Sequence, residues 1–109
     1  MKTYLQTDKL NWETTKIKGF SSKQLLELPL GGFKMIRVAP KSTYPLHLHP
    51  DKTEFIFVLE GQVNIINGDE SQNGAKNDFF TLPSNTKHSI VNSFEEECTL
   101  LVGAIQTNC

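Results

Sequence analysis

The chain has 109 residues, 38% hydrophobic and 21% charged, with a formal net charge of -1, and this is the composition of one ordinary globular domain. So balanced a charge supplies no field to draw nucleic acid or an anionic membrane surface, so neither is expected as a partner. No apolar run approaches the roughly 20 residues that span a bilayer, and the stretch from Met1 to Asp8 has no apolar signal core, so the expected location is the cytoplasm.

In chain order, residues 1–23 read as an N-terminal extension without a confident strand, too short to hold a helix-turn-helix. A weak strand is expected over residues 24–28, before Pro29. Gly31-Gly32 opens a strand over 33–39, which Pro40 stops. Residues 54–59 are the most β-prone segment, ended by Gly61, and residues 62–66 alternate polar with apolar side chains. Asn67-Gly68 is a dipeptide favoured in two-residue hairpin loops, and Asn73-Gly74 reads as a further turn. Strands are then expected over 78–82, closed by Pro83, over 88–91 and over 98–105.

Many short strands with regular turn signals, and no sustained helical period after residue 30, predict an all-β sandwich or barrel. Residues 55–59 sharpen this. Phe55, Phe57 and Leu59 make one face and Ile56 and Val58 the other, and both are apolar. Two dry faces require a packed layer on each side, supplied by the chain's own second sheet or by a partner subunit. A barrel that forms a homodimer is the expectation. Cys98 opens an apolar run without metal-ligand spacing and reads as a buried free thiol, and Cys109 as a frayed terminus.

The chain has three histidines, His47, His49 and His88. Alternate side chains of an extended backbone share a face, so His47 and His49 converge on one point, with Glu54 and His88 available to close around it. Three neutral imidazoles and a carboxylate suit one divalent transition metal: iron, zinc, manganese, nickel, cobalt or copper. Met35, Ile56, Val58, Val63 and Ile90 are candidates for an apolar pocket wall around a small-molecule ligand or substrate. Arg37, if it points inward, would anchor an anionic substrate; outward, it is a surface arginine. Tyr44 is a candidate hydrogen-bond donor at the rim.

These residues resemble the cupin superfamily. Its first motif, a His-x-His pair, a Glu and a Gly after the next strand, corresponds to His47-Leu48-His49, Glu54 and Gly61. Its second corresponds to Asn77-Asp78, Pro83-Ser84-Asn85, His88 and Asn92. Asn77 and Asn85 stand where the pattern prefers Gly, and asparagine tolerates the left-handed conformation glycine would take. Lys41 also stands at a frequent Gly, where a different turn is expected. The segment from Arg37 to Pro50, with Trp12, is further similar to small stand-alone cupins and to the cupin half of zinc-dependent anti-sigma factors.

The resemblance implies a double-stranded β-helix (the cupin jelly-roll barrel) as a single domain over 1–109, with a core at about 33–105. It implies His47, His49, Glu54 and His88 as metal ligands. Three functions are compatible with it. One is a non-haem dioxygenase, a second is a zinc-binding sensor or ligand-binding module, and a third is a metal-dependent isomerase.

Overall fold

The computed structural model describes residues 2–107, so Cys109 and the expectation attached to it lie outside the described residues. After a short 3-10 turn at Thr7–Lys9, ten strands follow: β1 Glu13–Thr14, β2 Phe20–Leu28, β3 Gly31–Val38, β4 Ser42–His47 and β5 Lys52–Glu60. Then come β6 Gln62–Asn67, β7 Glu70–Ala75, β8 Phe79–Leu82, β9 His88–Asn92 and β10 Cys98–Gln106. They form an antiparallel six-stranded sheet, β1-β2-β3-β10-β5-β8, and an antiparallel four-stranded sheet, β4-β9-β6-β7. This is the jelly roll.

Alternation explains why the two sheets close on each other. Ile36 and Val38 of β3, Ile56 and Val58 of β5, and Leu100 and Val102 of β10 point inward from the larger sheet. Val63 and Ile65 of β6 and Ile90 of β9 meet them from the smaller one, and all are buried. The inner face of β5 is thus covered by the chain's own second sheet. Its outer face is not: Phe55, Phe57 and Leu59 are only half-buried. Phe55 lies between Phe33 and Phe79, with ring centroids 5.4 and 5.5 Å away. Gly103 pairs with both Phe33 and Phe55, and a Cβ there would stand 2.2 Å from the Phe55 ring, so its lack of a side chain is what lets that ring lie across β10.

Several expectations shift. The hairpin loop between β6 and β7 is Gly68-Asp69, because Asn67 still pairs with Glu70. Gly68 has φ +64 and Asp69 is not left-handed, the arrangement in which glycine takes the first loop position. Asn73-Gly74 is no turn but part of β7; a Cβ on Gly74 would meet the Phe80 ring at 2.5 Å, so the glycine answers a packing demand. Strand β2 starts at Phe20, inside the segment read as an extension. Asn77 and Asn85 adopt φ 76 and 62, and Lys41 adopts φ 60, the left-handed conformation itself rather than a different turn. Its ammonium is tied to the Ser93 carbonyl at 2.8 Å and to Glu95 at 2.9 Å.

Candidate metal centre

His47 and His49 face inward only because β4 carries an irregularity. Tyr44 faces inward, and strict alternation from it would bring Leu46 and Leu48 in and turn both histidines out. Instead the register with β9 slips between Tyr44 and His47: Tyr44 is opposite Ile90 and His47 opposite His88, three residues against two. Pro45 and Leu46 are both exposed, and His47 and His49 return to the inner face. Proline is tolerated because β4 is an edge strand. The bulge does more than aim the rings, since the Pro45 carbonyl accepts from His47 Nδ1 at 2.8 Å.

The second motif supplies the other clamps. The Asn85 N–H, placed by its left-handed backbone, donates to the His49 carbonyl at 2.8 Å. His88 enters from β9 with Nδ1 3.3 Å from the Thr86 carbonyl. Asn92 is buried and structural: its Nδ2 donates to the carbonyls of Val38 and Glu96 at 3.2 and 2.9 Å, and its Oδ1 accepts from the Phe94 N–H. Glu54 comes from the opposite sheet on β5, so the cluster bridges the two layers.

One ligand atom from each of His47, His49, Glu54 and His88 can be chosen so that all lie within 4.8 Å of one another. Glu54 Oε1 is 3.3 Å from His49 Nε2 and 3.1 Å from His88 Nε2. Donors about 2.1 Å from one ion stand about 3.0 Å apart when adjacent and at most about 4.2 Å apart when opposite, so small side-chain shifts would complete a coordination shell. The hydrogen bonding points the same way. With Nδ1–H given to backbone carbonyls, His47 and His88 present the Nε2 lone pair to the cluster. His88 Nε2 is buried without a hydrogen-bond partner among the described residues, facing a carboxylate oxygen that is itself an acceptor. A proton on the ring or a metal ion between the two atoms satisfies that contact. A divalent metal fits the donor set.

Electrostatics lower the proton affinity of His49 and Glu54. Burial lowers the His49 pKa, opposed by the Glu54 charge and reinforced by Lys52, His47 and His88. Burial resists ionisation of Glu54, yet its contact with His88 and the charges of His49, Lys52 and His88 together hold its carboxyl below the ordinary range. Cys98 has no part in this: it is fully buried, and burial pushes its thiol up to about 12.

The cluster opens into a cavity of about 140 Å³, walled by Ile56, Leu82, Ile90 and Val102, with Tyr44 along one side. Tyr44 packs edge-on against Phe20 and 4.8 Å from the His47 ring. Of the residues considered for the pocket, Tyr44, Ile56 and Ile90 line it. Met35, Arg37, Val58 and Val63 do not. Val58 and Val63 are fully buried core, and Met35 and Arg37 sit on the outer face of β3, out of phase with inward Ile36 and Val38. The Arg37 guanidinium stacks 4.6 Å from the Trp12 ring, with Glu97 4.0 Å away. The cations that do reach the cavity are Lys34 and Lys52, which sequence reasoning passed over. Their signal was phase: Lys34 is two residues from Ile36, and Lys52 two from Glu54.

A family model described as "Cupin domain" matches residues 34–103. The chain is 31% identical over 94 residues to the rhicadhesin receptor of Pisum sativum, covering 80% of this chain but 43% of that protein, so it spans less than half of that relative. Among solved structures it is similar to KdgF from Halomonas sp., with a TM-score of 0.88, 16% identity, and 97% and 96% of the two chains covered. It is also similar to a predicted oxalate decarboxylase from Thermotoga maritima, with a TM-score of 0.87, 18% identity, and 94% and 98% covered.

Proposed function

The chain belongs to the cupin family, and on that premise we propose that it is a metalloenzyme acting on a small molecule, with dioxygen chemistry as its first form. In this reading His47, His49, Glu54 and His88 hold one divalent transition metal. The observation that carries it is the convergence of ligand atoms: His49 Nε2 and the buried His88 Nε2 lie 3.3 and 3.1 Å from Glu54 Oε1, and one atom from each of the four residues lies within 4.8 Å of the others. Four protein donors on an ion that accepts five or six leave positions for substrate or dioxygen, and the bound metal would supply Lewis acidity or, as ferrous iron, electrons.

The chain's own residues do the rest. The carbonyls of Pro45 and Thr86 fix the His47 and His88 tautomers, so both rings arrive as donors. Ile56, Leu82, Ile90 and Val102 exclude water, which strengthens every charge interaction inside the cavity. A volume of about 140 Å³, below the roughly 300–1,000 Å³ of larger ligand sites, selects a small metabolite. The same reading takes the protein as a cytoplasmic homodimer, joined through the half-buried aromatic face of β5.

Elemental analysis of protein purified without added metal, followed by anaerobic ferrous loading and oxygen uptake with diketones and catechols, tests it. One metal per chain, lost in His88→Ala, and substrate-dependent uptake are expected. Tightly held zinc without uptake would move the protein to a ligand-binding module or a Lewis-acid isomerase. A chain that binds none of the six metals would end the reading.

A further inference from the structure

Two ammonium groups share the metal-facing cavity. Lys34 lies on β3 in phase with Ile36 and Val38, and Lys52 on β5 in phase with Glu54 and Ile56, so alternation points both inward. Both are half-buried and both line the cavity of about 140 Å³. They also line a wider cavity of about 310 Å³ that opens beside it along the β2–β3 turn, and with Glu54 and Val102 they form the boundary between the two. Glu27 and Asp51 face only the wider space, and neither lysine forms an ion pair among the described residues. The lysine and arginine side chains that do pair with a carboxylate among the described residues, Arg37, Lys41 and Lys76, are on the outer surface.

We propose that Lys34 and Lys52 bind the anionic group, a carboxylate or phosphate, of a small substrate whose other end reaches the His47–His49–Glu54–His88 centre. The inference rests on the metalloenzyme reading and names its substrate class. A divalent ion on three neutral imidazoles and one carboxylate leaves the centre with an excess of one positive charge, and the two lysines add two more. Glu54 is the one carboxylate at the boundary and the Lys52 charge already acts on it, but as a ligand it would be spent on the metal. Neither lysine has a carboxylate in ion-pair contact among the described residues, so an incoming anion would complete them. Charge-assisted hydrogen bonds from two ammonium groups would fix one end of the ligand and set its distance from the metal. The boundary position also sets length: the anion sits where the narrow cavity meets the wide one, and any remaining substituent extends into the wide one. Arg37, on the other face of β3, takes no part.

The test is calorimetric titration of zinc-loaded and metal-free protein with malonate, succinate and glycerol 3-phosphate against malonamide, succinamide and glycerol. At least one anion is expected to bind about tenfold or more tightly than its uncharged analogue, and the carboxylate and phosphate arms distinguish the two anionic groups. In Lys34→Met/Lys52→Met the preference is expected to fall below about twofold with zinc content unchanged, and Lys34→Arg/Lys52→Arg is expected to restore it. Anion preference in the metal-free protein, lost with the lysines, would support the inference independently of the metal. Zinc bound normally with no anion binding, or with a preference that survives in Lys34→Met/Lys52→Met, would overturn it and leave the metalloenzyme reading standing.

Discussion

At the scale of single residues, two groups of the cluster, His49 and Glu54, are held below their ordinary pKa values, and this has a sign. Burial and neighbouring cations lower His49 despite Glu54, and the same neighbours outweigh burial to lower Glu54. A group whose folded pKa lies below its unfolded value is protonated more readily in the unfolded chain, so acid favours unfolding. The His49 contribution is complete above the ordinary imidazole value of about 6.5 and is lost as pH falls through the lower folded value; Glu54 extends the loss below about 4.3. Metal-free protein should therefore show a urea midpoint that is level above pH 7 and declines below about 6.5, with His49→Gln removing the first part of the decline. A midpoint that rises on acidification through that range would contradict the assignment. The same protons compete with metal, so affinity should weaken over the same interval.

At the scale of elements, the strands were legible where side chains alternate and illegible where backbone irregularity or packing decides. Residues 54–59 and 98–105 carry dense β-branched and aromatic runs, and both are strands. Gly74 read as a turn because a glycine's reason for being in a strand, here the Phe80 ring, lies on another element. The clustering of His47, His49, Glu54 and His88 was legible from spacing, but the bulge that turns two of them inward was not: alternation from His47 to His49 is local, whereas the slip at Pro45-Leu46 shows only against β9. The N-terminal segment was illegible for a similar reason. Trp12 lies with the Lys23 ammonium 4.5 Å and the Arg37 guanidinium 4.6 Å from its ring, while Lys23 Nζ also donates to the Thr7 carbonyl at 2.8 Å. That latch holds the arm to the outer face of β2 and β3. Replacing Trp12 by alanine should cost about 1–3 kcal/mol from two cation–π contacts and lost ring burial. Faster hydrogen exchange confined to residues 7–14, with metal content unchanged, should accompany the lower urea midpoint. Lost metal would instead show that the arm supports the centre.

At the scale of the whole molecule, the two faces of the larger sheet have different fates. The inner face is consumed by the core, and one end of the outer face is covered by the Trp12 latch. Across the rest lie Phe33, Phe55 and Phe57, half-buried, with Phe79 and Ile105 each 59% exposed. Exposed aromatic surface of this kind is uncommon on a monomer, and in the proposed homodimer it is the interaction face. Residues that alternate with them on the same strands, Ile56, Val58 and Leu82, already satisfy the fold, so removing an outer ring should not unfold the chain. Phe79→Glu is the informative substitution. It places a charge where a second copy would have to desolvate it, at a side chain with little burial of its own to lose. Sedimentation of the unaltered protein is expected at twice 12.3 kDa, and of Phe79→Glu at 12.3 kDa with the same circular dichroism and the same bound metal. An unaltered chain that sediments at 12.3 kDa at tens of micromolar would remove the dimer, and the dry outer face of β5 would then need a different partner.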